Sequence, residues 1–315
     1  MIITVTLNPA MDKTLTIDNF NIGSVNRVSK LRYDIGGKGI NVSKVLKNFG
    51  VESTCTGFLG GIWQNTFELE LSKKEINNSF VNISQDTRTN TKIVDNQNGT
   101  YTDVNEPGPN INKAEMDEFI SKFKGICTSN DIVVLSGGVS PNIPKDIYRK
   151  LIKIAKEKGS FIILDAEGEL LKEGIKEKPD VIKPNDHELE ILLNKALDTE
   201  EKIISEARKL IESGVGSILI SRGHKGAMYI TSNDSLYCNG LNVPVKSTVG
   251  AGDSMVAALV YSKINKFSNQ ETLRYAVASG TAAVCLEGTE ACNLQQIKQF
   301  IPKLNIENRR KFLCK

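Results

Sequence analysis

The stretch Ser247-Thr248-Val249-Gly250-Ala251-Gly252-Asp253-Ser254 decides how this chain is read. Val243 and Val245 lead into it, and Met255-Val256-Ala257-Ala258-Leu259-Val260-Tyr261 follows with helical character. A glycine turn thus opens a helix and sets a carboxylate just after the turn. Gly250 and Gly252 lack Cβ atoms, so backbone N–H groups can come close to a ligand. The first N–H groups of a helix have no partner inside it and sit at the positive end of its dipole. Such a site suits a phosphate. Asp253 beside it would be repelled by that phosphate. Two readings account for its place: a general base that takes a proton from an attacking hydroxyl, or an acidic residue that merely favours the positive helix end.

Upstream, β-prone and helical segments alternate from residue 113 to 221. Strands are expected at 131–135, Phe161–Asp165, 181–183 and Ser217–Ser221, with helices near 114–123, 145–158, 168–175, 186–194 and 200–213. Ile2–Thr6 and residues 54–59 add two strands, and 66–74 a helix. This order predicts an α/β fold, a doubly wound, mostly parallel sheet with helices on both faces. Ligands of such sheets bind beyond the carboxyl ends of the strands. The polar motifs at 8–12, Ser136-Gly137-Gly138, 183–188, 221–226 and 250–253 all fall at such ends. A second glycine turn, Gly36-Gly37-Lys38-Gly39-Ile40-Asn41-Val42, opens a helix through Val45, Leu46 and Phe49.

Two segments stand outside this alternation. Residues 13–17 and 25–33 alternate weakly. Residues 80–104 alternate polar, β-prone positions (Thr89, Thr91, Ile93, Val94, Tyr101) around the hairpin signal Asn98-Gly99. They predict a small β-sheet lid, with segments near 12–33 and 86–104, on a single domain covering 1–315.

Composition narrows the function classes. The apolar share is 40% and the charged share 24%, with a net charge of +3, the values of a soluble globular chain. No basic block points to nucleic acid; the short basic tail Asn308-Arg309-Arg310-Lys311 reads as a solvated terminus. No apolar run approaches a membrane span, and the start Met1-Ile2-Ile3-Thr4-Val5-Thr6 lacks the features of a secretory signal. Cys55, Cys127, Cys238, Cys285, Cys292 and Cys314 form no CxxC pair and are expected as free thiols in a cytoplasmic protein. Only His187 and His224 are present, without a Cys/His grouping, which argues against zinc. No GxxxxGK[ST] or GxGxxG motif is present.

The remaining motifs each have two readings. Asn185 and Glu188 in Lys183-Pro184-Asn185-Asp186-His187-Glu188 have the spacing of a capping box. The same pair could hold Mg²⁺ or its waters, since magnesium takes one or two protein carboxylates. Ser221-Arg222-Gly223-His224-Lys225-Gly226 is a turn or a loop against nucleotide phosphates. Asp12, Arg27, Lys38, Asn41 and Arg88 are each a solvated surface residue when taken singly. Together they suit a phosphorylated polyol, with Asp12 accepting from hydroxyls and the cations holding a phosphate.

These motifs together resemble the ribokinase-like (PfkB) carbohydrate kinases across essentially the whole chain. Gly36-Gly37-Lys38-Gly39-Ile40-Asn41 is similar to the family's first signature and Ser247-Thr248-Val249-Gly250-Ala251-Gly252-Asp253-Ser254-Met255 to its second. Thr6-Leu7-Asn8-Pro9 resembles the phosphosugar branch, and the second signature is most similar to members acting on fructose 1-phosphate. The resemblance implies ATP- and Mg²⁺-dependent phosphorylation of that sugar at its C6 hydroxyl. Tagatose 6-phosphate or fructose 6-phosphate is the alternative acceptor, and a non-catalytic binding regulator the remote one. It also implies roles. Asp253 would be the base; Gly250, Ala251 and Gly252 the anion hole; Asp12, Gly37, Lys38 and Asn41 sugar contacts. Arg27, Arg88 and Ser136 would lie near the sugar phosphate. Lys183, Asn185, Ser221, Gly223, Gly226, Thr248 and Ser279 would border the nucleotide, and Asn185 with Glu188 the magnesium. Two departures stand out: Gly138 where relatives carry a serine, and Glu167 after Asp165-Ala166. The exposed edges of a lid favour pairing with a second copy, so a homodimer is expected.

Overall fold

A computed structural model describes residues 1–309; Arg310 and Lys311 of the basic tail, and Cys314, lie outside the described residues. From the N-terminus run β1 (Ile2–Thr6), β2 (Ala10–Ile17), β3 (Val28–Gly36), α1 (Lys38–Asn48), β4 (Thr54–Gly60), α2 (Gln64–Lys73), β5 (Asn77–Asn78), β6 (Val81–Ile83), β7 (Arg88–Asp95) and β8 (Thr100–Asn105). There follow α3 (Lys113–Ile126), β9 (Ile132–Ser136), α4 (Ile147–Glu157), β10 (Phe161–Asp165), α5 (Gly168–Gly174), β11 (Val181–Ile182), α6 (Asp186–Leu193), α7 (Glu200–Glu212) and β12 (Ser217–Ser221). The chain ends with β13 (Ala227–Thr231), β14 (Ser235–Cys238), α8 (Ala251–Ile264), α9 (Asn269–Val284), α10 (Leu294–Phe300) and β15 (Ile306–Asn308).

The main sheet has the order β15-β14-β13-β12-β11-β10-β9-β1-β4-β5, with β6 also on β4. Its strands are parallel from β5 through β12. Successive residues of a strand point to opposite faces, and both faces here are apolar. Ile3, Val5, Val133, Leu135, Ile162 and Leu164 pack on one side. Ile2, Ile132, Val134 and Ile163 pack on the other, against α1, α8 and α9. This two-sided burial explains the near-continuous apolar runs, and the expected doubly wound sheet is present.

Three features depart from the expectation. Strands β13, β14 and β15 add an antiparallel edge, where no strands were expected. Val81–Ile83 pairs with β4 in the main sheet, so the accessory hairpin begins only at Arg88. The third accessory strand starts at Val28 and runs to Gly36 rather than spanning 25–33.

The small sheet has the order β3-β2-β7-β8. Four passages of chain join it to the body side by side, at 7–9, 36–37, 86–88 and 105–108. Side chains bind these passages together. Asn8 Nδ2 donates to the Pro107 carbonyl at 3.0 Å, and Arg88 donates to the carbonyls of Glu106 and Asn8 at 2.8 and 3.3 Å. Among the described residues no helix is long and apolar enough to cross a membrane. Cys55, Cys127, Cys238, Cys285 and Cys292 are free thiols.

Candidate active site

A cavity of about 1170 Å³ lies beyond the carboxyl ends of β1, β9, β11 and β12, between the main sheet and the small one. At its centre α8 begins. Gly250 caps the helix with φ of 80° and no side-chain hydrogen bond to the first turn. An added Cβ there would meet nothing within 4 Å, so backbone conformation rather than space requires glycine. Gly252 differs: its Cβ would come within 3.2 Å of Lys183 Nζ. The N–H groups of the first turn therefore face the cavity without a side-chain cap, and the positive dipole end adds to their pull on an anion.

Asp253 sits in that first turn, 5% exposed. Its Oδ2 accepts from Asn41 Nδ2 at 2.9 Å. Burial pushes the Asp253 carboxyl up to about 6; Lys38, Lys183 and the Asn41 bond oppose the rise and Asp165 adds to it. A carboxylate with that affinity for protons is ionised at neutral pH and still basic enough to take one.

Asp165 ends β10 with its side chain 1% exposed. It lies 3.2 Å from Lys183 Nζ and 3.5 Å from Lys38 Nζ. Burial alone would raise its affinity for protons, but the two ammonium groups outweigh burial and lower it. In turn Asp165 holds the Lys38 ammonium strongly protonated. One carboxylate thus fixes two cations near the anion site. Sequence reading gave Asp165 no role; its position at a strand end of a parallel sheet was the available signal.

The cavity wall towards the small sheet carries Thr6, Asn8, Asp12, Gly37, Asn41, Arg88 and Asn90. Burial raises the Asp12 carboxyl, against the bond from Asn90 Nδ2 at 3.2 Å and the nearby Lys44 and Lys92. The Gly37 backbone has φ of 125°, and a Cβ there would come within 2.6 Å of Thr6 Cγ2. Ser136 is fully buried, and its hydroxyl has no protein partner. Such an orphaned group on a cavity wall is one a ligand can satisfy. Thr6 and Asn8 belong to the Thr6-Leu7-Asn8-Pro9 motif but were given no contact of their own, and Asn90 carried no sequence signal beyond its strand. The opposite lobe is lined by Ser221, Gly223, Gly226, Leu241, Val243, Val245, Thr248, Val277, Thr281 and Val284, a largely apolar slot. Gly226 has φ of 95°, and a Cβ would strike the Cys238 carbonyl at 2.0 Å.

Asn185 and Glu188 form the capping box: Asn185 Oδ1 accepts from the Glu188 N–H at 2.8 Å and Glu188 Oε2 from the Asn185 N–H at 2.9 Å. Both also line the cavity, so forming the cap does not take them out of reach of a ligand there. The cap uses one Glu188 oxygen and leaves Oε1 uncommitted. An oxygen donor at a cavity wall fits a hydrated magnesium ion.

Two expected site residues fall elsewhere. Arg27 is exposed in the loop before β3 and lies outside the cavity. Ser279 is fully buried and faces the core, where its carbonyl accepts from the Cys292 thiol at 3.7 Å. Its neighbours Gly280 and Thr281 line the slot instead. Helix α9 is buried on two sides, so its cavity-facing edge has no polar stripe to mark it.

Residues 6–296 match the model of the pfkB family of carbohydrate kinases. The chain is 35% identical over 309 residues to the 1-phosphofructokinase of Borreliella burgdorferi, covering 98% of this chain and 99% of that protein. It is 34% identical over 310 residues to the tagatose-6-phosphate kinase of Staphylococcus epidermidis, with 97% and 99% covered. The crystal structure of phosphofructokinase-2 from Escherichia coli in complex with substrates and products superposes with a TM-score of 0.92 at 27% identity, covering 96% of this chain and 98% of that one. Two glycine turns on one cavity, the buried carboxylate between them and these likenesses agree: the chain belongs to the pfkB family of carbohydrate kinases.

Proposed function

We propose that this chain transfers the γ-phosphoryl group of ATP to the C6 hydroxyl of fructose 1-phosphate, giving fructose 1,6-bisphosphate and ADP. The observation that carries the reading is Asp253, a buried carboxylate in the first turn of α8, beside uncapped backbone N–H groups. Asp253 takes the hydroxyl proton as the oxygen attacks phosphorus. Gly250, Ala251 and Gly252 receive the negative charge of the transferring group, and Lys38 and Lys183 add positive charge that Asp165 keeps in place. Catalysis of this kind is mostly positioning and charge stabilisation.

Asp12, Gly37, Lys38 and Asn41 would orient the sugar, and Arg88 with Ser136 would hold its phosphate. Ser221, Gly223, Gly226 and Thr248 would follow the nucleotide into the apolar slot. Magnesium, when bound, neutralises charge on the nucleotide phosphates, and Glu188 with Asn185 would hold it through water. The small sheet would act as a lid over one domain and keep water from competing as acceptor. A cytoplasmic setting agrees with five free thiols among the described residues.

The sugar is settled by ADP release with Mg-ATP across fructose 1-phosphate, tagatose 6-phosphate, fructose 6-phosphate and fructose. The highest kcat/KM is expected with fructose 1-phosphate. Preference for tagatose 6-phosphate, the acceptor named for the staphylococcal relative, would move the assignment within the family. No turnover on any of them would overturn the kinase reading.

The small sheet also supports a homodimer. Ile22 and Val25 are 93% and 83% exposed, with Val28, Leu31, Tyr101 and Val104 exposed beside them. Open strand edges with apolar faces seek partners. Light scattering is expected to give twice the chain mass of 34.6 kDa; a strictly monomeric mass would overturn the pairing.

A further inference from the structure

Lys44 lies behind the active-site wall, on α1, and has no part in the reaction as described so far. Its side chain is 7% exposed. The ammonium donates a short hydrogen bond to the Ile35 carbonyl and another, at 3.3 Å, to Asn41 Oδ1. Asn41 in turn donates from Nδ2 to Asp253 Oδ2 at 2.9 Å. The three side chains form one line from β3 to the helix that carries the carboxylate.

The direction of this line follows from chemistry. An ammonium has only donors, so the Asn41 atom facing it must be the amide oxygen. The amide's NH₂ group then has to face Asp253. Without Lys44 the amide could turn over and present its oxygen to the carboxylate. An oxygen facing an oxygen is tolerated only if Asp253 keeps its proton.

We infer that Lys44 is a positioning residue: its ammonium orients the Asn41 amide, which holds Asp253 ionised and aimed for proton abstraction. The inference rests on Asp253 as the base. Around Lys44 stand Asp34 of β3, Asp12 of β2, Lys74 just beyond α2 and Cys55 of β4. Around Asp253 stand Lys38 of α1, Asp165 at the end of β10 and Lys183 just beyond β11. Burial brings the Lys44 ammonium down to about 8, with Asp34 and Asp12 opposing the fall. Even there it is mostly charged at neutral pH.

The test is kcat against pH for the full chain with Mg-ATP and fructose 1-phosphate. In Lys44→Met the acid limb is expected to move up by about one pH unit, with KM for ATP unchanged and the wild-type limb restored in Lys44→Arg. A folded Lys44→Met whose limb stays at the wild-type position overturns the inference, whatever its rate. Should that variant not fold, wild-type chain with ¹³C-labelled asparagine decides. The Asn41 side-chain carbonyl resonance is expected to titrate with Lys44, near pH 8, and a flat response from pH 7 to about 11, past the ordinary lysine value, overturns the inference. The two failures are separable: an active Asp253→Asn removes the base itself, whereas an unmoved limb beside an inactive Asp253→Asn removes only Lys44.

Discussion

Asp253→Asn is expected to lower kcat by roughly 10²–10⁴-fold, the scale of losing a general base. Asparagine has nearly the same shape, and its oxygen can still accept from Asn41 Nδ2, so the fold should survive and the thermal midpoint should move little. The amide cannot take a proton from the sugar hydroxyl, so KM for ATP stays near its wild-type value while turnover falls. The pH dependence carries a second signature. With its carboxyl pushed up to about 6, wild-type Asp253 is protonated below that pH, and turnover should fall about tenfold per unit there. Residual Asp253→Asn activity should lack that limb. Steady-state ADP release over pH 5 to 9 reads both, and turnover within a few-fold of wild type in the variant would remove Asp253 from the role of base.

Asp165→Ala should cost about 3–5 kcal/mol of stability, the usual scale for removing one partner of a buried ion pair. The reason lies in what remains. The Lys183 side chain is 6% exposed and packs beside Gly252, with Asp165 at 3.2 Å as its counter-charge. Alanine would leave that buried ammonium without its ion-pair partner. Asp165→Asn should cost less, since its amide oxygen can still accept. Because the folded carboxyl has a lowered affinity for protons, its contribution is fully present above the unfolded carboxylate value of about 4. It is lost as pH falls through the lower folded value. The gap between wild type and variant should therefore persist at neutral pH and close in acid. Urea unfolding at pH 7 and pH 3 measures it, and equal midpoints at pH 7 would overturn the role given to this pair.

Much of the fold was legible because the middle of the chain repeats one physical pattern. Strands buried on both faces, such as Phe161–Asp165 and Ser217–Ser221, read as short apolar runs, and the amphipathic helices between them as periodic ones. The glycine turns were legible for a similar reason, since Gly37 and Gly250 hold backbone conformations that other residues resist. The antiparallel edge was not. Ala227–Thr231 and Ser235–Cys238 are five and four residues long and buried almost throughout, so neither shows alternation. Arg27 and Ser279 lie off the cavity wall for a different reason. Each belongs to a plausible segment, but which way a loop runs or a buried helix turns depends on partners distant in sequence. Lys44 is set apart only by groups that folding brings to it, and no local pattern distinguishes it from an ordinary lysine; Asp165 had only its place at a strand end to mark it.

The four passages at the base of the small sheet stand where the fulcrum of a lever would. Asn8 and Arg88, which tie those passages together, also line the cavity. On the proposed function, a sugar phosphate held there would press on the pivot and not on the far end. On the proposed reading of the small sheet as a lid, a slight rotation at the pivot would sweep its outer end through a larger arc, against the ion pairs of Lys30 with Glu287 and Arg32 with Glu290. Changes at the tip, around Ile22 and Val25, would alter how fast the sheet swings and what it swings against. Changes at the pivot would alter whether a bound sugar can command the swing at all.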